Sequence, residues 1–293
     1  MRDNPRLGIT LMLLATLVFA VQDGLSVTLA REYGVLPVVT VRFWFFGLFV
    51  LCWSHWKGGG IAQVAKSKRP MLQITRGVLL VLEICVMVSA LTVLGMIESH
   101  AVFSCYPLVV VALSGVVLGE KVGWRRWAAV LAGFIGVLII LRPGAGVVSA
   151  AALVALASSV MFAVYNLMTR LVSRVDSATT SLFWTGVMGM LTSSALVPFF
   201  WQPIRSEHWG LMGALCLTGI LGHFTLIKAL EAADTATTQP FAYFHLVFAS
   251  IIGMAVYGEV LDPMVAVGAS VVVLSGLFTI WRAKQRAMED ADA

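Results

Sequence analysis

Apolar residues run along this chain in blocks of about twenty, without the period-two alternation of a membrane barrel. Short polar or glycine-bearing joins separate the blocks. Ten can be placed, at about 8–30, 35–54, 73–94, 98–118, 124–141, 147–169, 179–200, 210–228, 236–257 and 263–281. Each can cross a hydrocarbon core about 30 Å thick as a helix. The join between 54 and 73 is the longest and carries Gly58, Gly59 and Gly60. Nothing is left over that folds as a soluble domain.

The pattern repeats itself. Ala90-Leu91 recurs as Ala229-Leu230 and Gly119-Glu120 as Gly258-Glu259, both displaced by 139 residues. Phe19-Ala20-Val21 recurs as Phe162-Ala163-Val164 at an offset of 143, and Phe43-Trp44 as Phe183-Trp184 at 140. A near-constant offset close to half the chain indicates a duplicated unit. Five blocks per unit is an odd number, so the second unit enters the membrane in the opposite sense. That is an inverted-topology repeat, common in secondary transporters. The predicted architecture is an all-α polytopic membrane protein, with five-helix repeats at 8–141 and 147–281.

Composition agrees. Of 293 residues, 59% are hydrophobic and 12% charged, with a mean hydropathy of +0.92. Soluble domains carry about a quarter charged residues. The net charge of +5 sits mostly in short loops, as membrane topology requires, which argues against a nucleic-acid partner. With the N terminus in the cytoplasm, fifteen Lys and Arg lie inside or at the inner boundary, against Arg31, Arg142 and Arg205 outside. An even number of spans returns the C terminus, 282–293, to the cytoplasm as a tail. Cys52, Cys85, Cys105 and Cys216 fall in apolar runs and read as small core residues. The first run reads as a retained span and not as a cleaved signal.

Two five-span halves, Arg76-Gly77 opening the third span, Ala-Leu at its end and a fourth span closing on Gly-Glu resemble the EamA family of the drug/metabolite transporter superfamily. The resemblance covers about residues 8 to 282. It implies a ten-helix bundle with a central cavity between the repeats, in a bacterial inner membrane. It also implies alternating access and carriage of small organic solutes, often outward. The run LMLLATLVFAVQDGLS followed by VRFWFF is further similar to bacterial riboflavin importers of this superfamily. An exporter of amino acids or other metabolites is the competing implication. One departure stands out: Pro107 has Leu246 at its repeat position, and Pro240 lies six residues earlier. The two helices should therefore bend at different depths.

Ionisable groups inside apolar spans are costly, so each is a candidate for function. Phe19, Gln22, Asp23 and Ser26 share one helical face in the first span. That face reads as a cavity wall that binds solute or takes a proton, or else Asp23 is a boundary group near the outer surface. Tyr165 and Asn166 stand at the corresponding place in the sixth span. Glu83 lies midway along the third span, the best single site for proton coupling or for a cationic group on the solute. It is also a possible partner for Arg42, which needs a carbonyl or carboxylate and reads, with Arg76, as a structural ion pair or gate. Ser104 and Tyr106 cluster at Pro107, and Gln239, Tyr243 and His245 at Pro240. Aromatic and amide groups around a proline kink suit a planar polar solute, or they serve interhelical hydrogen bonding. His223 is a further lining residue. Glu98, His100 and His208 read as solvated boundary groups, and Glu120 and Glu259 as duplicated helix ends. Gly133, Gly136, Gly268 and Gly276 fit close helix packing.

Function narrows to a secondary transporter of a small molecule, embedded in a lipid bilayer. No GxxxxGK[ST] loop occurs to supply ATP drive, and no HExxH or GxSxG motif to supply catalysis. No catalytic residue, metal ligand or cofactor is assigned. His100, His223 and His245 are too far apart in sequence to define a metal site, and only tertiary proximity could join them. An intramembrane enzyme is the alternative of another class. A sensor would carry a soluble output domain, and a channel would show flux without saturation or counterflow.

Overall fold

The computed structural model describes residues 4–56, 59–118, 124–141, 150–233 and 235–289. These residues form thirteen α-helices and two short 3-10 turns, with no strand. The helices are α1 (Pro5–Tyr33), α2 (Val35–Trp56), α3 (Ile61–Ala65), α4 (Pro70–Leu94), α5 (Met96–Phe103), α6 (Tyr106–Leu118) and α7 (Trp124–Leu141). After residue 149 come α8 (Ala150–Ser173), α9 (Ala178–Leu196), α10 (Trp209–Ala232), α11 (Thr235–Ala242), α12 (Phe244–Tyr257) and α13 (Pro263–Glu289). Eight described segments are long and apolar enough to cross a membrane, and Trp127–Leu141 and Pro263–Phe278 are shorter apolar helices.

Local chemistry sets the ends. At the start of α1 the Asn4 side chain accepts from Leu7 N–H at 3.1 Å and Pro5 opens the helix, where its missing N–H costs nothing. Ser177 caps α9 through Thr180 N–H. Gly95 (φ 86°) ends α4 and Gly258 (φ 66°) ends α12, at a backbone conformation that favours glycine. Inside the bundle, Thr16, Ser26, Ser89 and Thr169 bond carbonyls three or four residues back, so their hydroxyls are satisfied within their own helix.

The structure differs from the sequence expectation in several places. The blocks at 98–118 and 236–257 are each broken into two helices, at Ser104-Cys105 and at Tyr243. Positions 104 and 243 are 139 apart, the offset of the Ala-Leu and Gly-Glu recurrences. Pro107 sits at the start of α6, where no helical N–H is needed, while Pro240 is inside α11. The two breaks are spaced like the sequence recurrences, and the two prolines are not. Cys105 and Cys216 are buried, Cys85 is half-buried, and Cys52 is exposed, so the small-core reading fails for Cys52. A short helix, α3, folds in the long join, and α13 continues as helix into the expected tail. Gly119, Glu120 and residues 290–293 lie outside the described residues.

The main pairings are α1 with α10, α2 with α9, α4 with α8 and α7 with α13. Each joins a helix before residue 142 to one after 149, so the buried core is shared between halves. Small residues permit the close crossings. A Cβ on Gly136 would reach the Gly268 carbonyl at 2.7 Å, and one on Gly268 the Gly136 carbonyl at the same distance. A Cβ on Gly189 of α9 would overlap the Phe43 ring of α2. The outward faces remain apolar, as at Leu131, Val247 and Leu274, which suits contact with lipid chains.

This packing predicts a contrast between two glycines. Gly189→Ala should lower stability by about 1–3 kcal/mol through overpacking. Gly213→Ala, inside α10 with its new methyl meeting nothing within 4 Å, should lose no stability and gain up to about 1 kcal/mol of helix propensity. Thermal unfolding in one detergent reads both, and equal losses would reject a tight α2–α9 crossing.

Candidate functional site

The helices converge on a cavity lined by polar groups from both halves: Gln22 and Asp23 of α1, Arg42 of α2, Glu83 of α4, His223 of α10 and His245 of α12. Rings of Phe19, Phe103 and Phe162 complete it, with aliphatic side chains of α4. The empty space between these side chains is about 460 Å³, part of it open to the outside.

Asp23 and His100 are buried, and the two groups face each other across the helices. Asp23 Oδ2 lies 3.0 Å from His100 Nε2 and 3.1 Å from His245 Nε2. The Asp23 carboxylate is thus a shared partner and not an outer boundary group. His100, expected to be solvated, is 1% exposed. It was missed because it opens an apolar block. The break after Phe103 makes α5 a separate short helix that carries His100 against α1. Its spacing to Ser104, one helical turn on, was the available signal.

Glu83 accepts from Ser158 Oγ at 2.6 Å. Among the described residues neither Glu83 nor Asp23 lies within ion-pair distance of Arg42. Arg42 instead lies over the Phe43 ring, 5.2 Å from its centroid, and Gly219 of α10 makes room for its methylenes. Its Nη2 has no protein partner, and neither have Gln22 Oε1 or the two ring nitrogens of His223. His223 sits edge-on to Phe19 at 5.2 Å and stacks on Phe46 at 6.1 Å.

Other residues singled out from the sequence stand behind this lining. Ser104 donates to Ala101 O within α5, and Tyr106 packs between Phe103 and Phe162. Asn166 donates to Phe162 O, leaving its Oδ1 without a protein partner, and Tyr243 packs its ring and hydroxyl against Gly276. The side chain of Gln239 lies outside the described residues. Tyr165 joins Arg76. That guanidinium, 0% exposed, donates to Tyr165 Oη (3.1 Å), Thr169 Oγ1 (3.3 Å), Gln73 Oε1 (3.0 Å), Ser181 O (2.6 Å) and Thr185 Oγ1 (2.9 Å). All five acceptors are neutral, so Arg76 is not an ion pair.

Beside Arg76, at the same end of the bundle, Asp176 accepts from the Ser67 hydroxyl, Lys68 N–H (2.9 Å) and the Gln73 amide (3.0 Å). This clasp ties the α3–α4 join to the α8–α9 join. Burial alone would push the Asp176 pKa up, but the three hydrogen bonds and the Lys68 charge outweigh it and hold the carboxyl below its ordinary value.

Comparison with known proteins adds the following. The EamA-like transporter family matches residues 6–142 and 149–281. A riboflavin transporter of Vibrio cholerae is 30% identical over 98% of this chain and 98% of its own. An S-adenosylmethionine uptake transporter of Rickettsia prowazekii is 24% identical over 95% of this chain and 94% of its own. The pseudopaline exporter CntI of Pseudomonas aeruginosa is 23% identical over 93% and 95%. A solved crystal structure shares the fold, with a TM-score of 0.62 and 20% identity over 91% of this chain and 96% of that one.

The clasp predicts a pH dependence. A carboxylate with a depressed folded value stabilises fully above its unfolded value, near 3.9, and the contribution fades as pH falls through the folded value. Asp176→Asn should therefore lower stability at neutral pH by about 1–3 kcal/mol and flatten the loss seen in the native chain on acidification below about pH 4. Thermal unfolding across pH reads this, and parallel curves for the two proteins would show that Asp176 does not stabilise as an anion.

Proposed function

Because the chain belongs to the EamA-like transporter family and is therefore a membrane transporter, we propose that it is a secondary carrier moving riboflavin across a bacterial inner membrane by alternating access. We take its topology as ten spans in two inverted repeats, 8–141 and 147–281, with both termini cytoplasmic. The helix breaks 139 residues apart support this. So does the exchange symmetry of the packing. Swapping halves turns the α1–α10 pairing into α8–α4, and returns α2–α9 and α7–α13 to themselves. Fifteen basic residues against three support the orientation.

The observation that carries the reading is the set of buried polar atoms on the cavity wall without protein partners: Gln22 Oε1, Arg42 Nη2 and both His223 nitrogens. Buried polar groups are normally hydrogen-bonded, so these suit a polar solute. Three phenylalanine rings beside them suit a flat heterocycle. The isoalloxazine of riboflavin would lie against the rings, with its carbonyls and ribityl hydroxyls on Gln22, Arg42 and His223. Tyr106, Tyr165, Asn166, Ser104 and Tyr243 support the wall, and Gln239 is assigned to it by its place beside Pro240. Glu83, whose bonded partner is the neutral Ser158, is the proton-coupling carboxylate.

A second reading has its own observation. Two carboxyl groups, Asp23 and Glu83, line the cavity against one guanidinium, which favours a cationic solute such as S-adenosylmethionine.

Proteoliposomes distinguish these readings. Riboflavin uptake should be saturable and show counterflow. Gln22→Ala and Arg42→Gln should raise its KM roughly tenfold, the loss of about 1.4 kcal/mol of binding, with thermal unfolding unchanged. S-adenosylmethionine uptake that riboflavin does not inhibit would move the assignment to the second reading, and unsaturable flux would make the protein a channel. Glu83→Gln should keep counterflow but lose its response to an imposed pH gradient. A retained response removes the proton from Glu83.

A further inference from the structure

The Asp23, His100 and His245 cluster carries a constraint that solute binding does not use. His100 Nδ1 lies 2.9 Å from the Met96 carbonyl, one turn back in α5. A carbonyl only accepts, so Nδ1 carries the proton, and the neutral imidazole presents a bare lone pair at Nε2. That lone pair faces a carboxylate oxygen, Asp23 Oδ2, at 3.0 Å. Two acceptors at this distance need a cation between them. His245 brings a second imidazole nitrogen to the same oxygen at 3.1 Å.

The geometry points to a divalent transition-metal site, with Asp23 Oδ2, His100 Nε2 and His245 Nε2 as its ligands. One ligand atom from each of the three residues lies within 4.8 Å of the other two. Zinc holds nitrogen and oxygen ligands at about 2.0–2.1 Å in tetrahedral sites, which sets neighbouring ligand atoms close to the spacings seen here. Two imidazoles with one carboxylate suit zinc-like ions and not magnesium or calcium, which take oxygen. The support around the ligands is present too. Metal-bound histidines commonly donate their other N–H to a backbone carbonyl, as His100 does to Met96. The start of α5 is itself fixed, because the Glu259 carboxylate accepts from Met96 N–H at 2.7 Å and Ile97 N–H at 2.8 Å. Phe103 packs against both imidazoles, each with ring centroids 6.2 Å apart.

Asp23 and His245 also line the cavity, so the site borders it. Asp23 and His100 come from α1 and α5 and His245 from α12, on the other side of the chain's midpoint. A bound ion would clamp the two parts together at this level and arrest transport. The site goes beyond riboflavin carriage and does not depend on it.

The test uses the purified full chain without an affinity tag, in detergent, titrated with Co²⁺ alone. We expect one equivalent to bind with the visible absorption of a tetrahedral ion, Zn²⁺ to displace it, and Mg²⁺ not to. His100→Gln and His245→Gln should each weaken Co²⁺ binding about a hundredfold or more. His208→Gln, at the outer surface beside Glu32 and Arg205, should leave it unchanged. Circular dichroism and thermal unfolding confirm that each variant is folded. Spectral silence in the native chain would overturn the site and leave a proton alone between Asp23 and His100. So would a spectrum that survives both cluster variants or vanishes in His208→Gln.

Discussion

A charged or polar side chain inside a hydrocarbon layer must find a partner within the protein, and this structure is arranged around that demand. Arg76 and Arg42 show its two outcomes. Arg76 is enclosed by five neutral acceptors drawn from α4, α8 and α9, and it ties those helices together. Arg42 reaches the cavity with its Nη2 unpartnered, whereas Arg76, which also keeps one unpartnered donor, Nε, does not line the cavity. The same residue type is cement at one depth and a waiting contact at another. The difference lies in whether hydroxyls and a carbonyl from neighbouring helices converge on it.

Much of the fold was legible because membrane crossing imposes length and periodicity on sequence directly. The apolar blocks, their recurrence and the glycine approaches at Gly136 and Gly268 could be read before any coordinates. The site was legible where polar residues interrupted an apolar run, as at Gln22, Glu83 and His223. It was illegible where depth depended on a helix break. His100 reads as a boundary group only if its block is one continuous helix. The break at Ser104-Cys105 changes that, and proline spacing did not locate it. Partnership across the bundle was likewise hidden. Nothing in the sequence says that Glu83 meets Ser158, or that the Asp23 carboxylate meets two imidazoles.

The two broken helices explain why the site sits where it does. His100 precedes one interruption by four residues and His245 follows the other by two. His100 is carried by the short segment α5 and His245 by the start of the longer α12, and both reach Asp23 of α1. Glu259 then holds the first short segment from the far half of the chain. The other Gly-Glu pair, at 119–120, lies outside the described residues.

The pairing of helices across the midpoint has a consequence for synthesis. A ribosome delivers α1 to α7 first, yet the main neighbours of α1, α2, α4 and α7 all lie beyond residue 149. Of the five acceptors around Arg76, only Gln73 has been made by then. The early half must wait in the bilayer with its cation unmet and its inner faces against lipid or insertion machinery. Assembly is therefore late and all at once, with contacts of long sequence separation formed last. A chain cut near residue 145 would be an orphaned half, recognisable to membrane quality control by its unmet arginine.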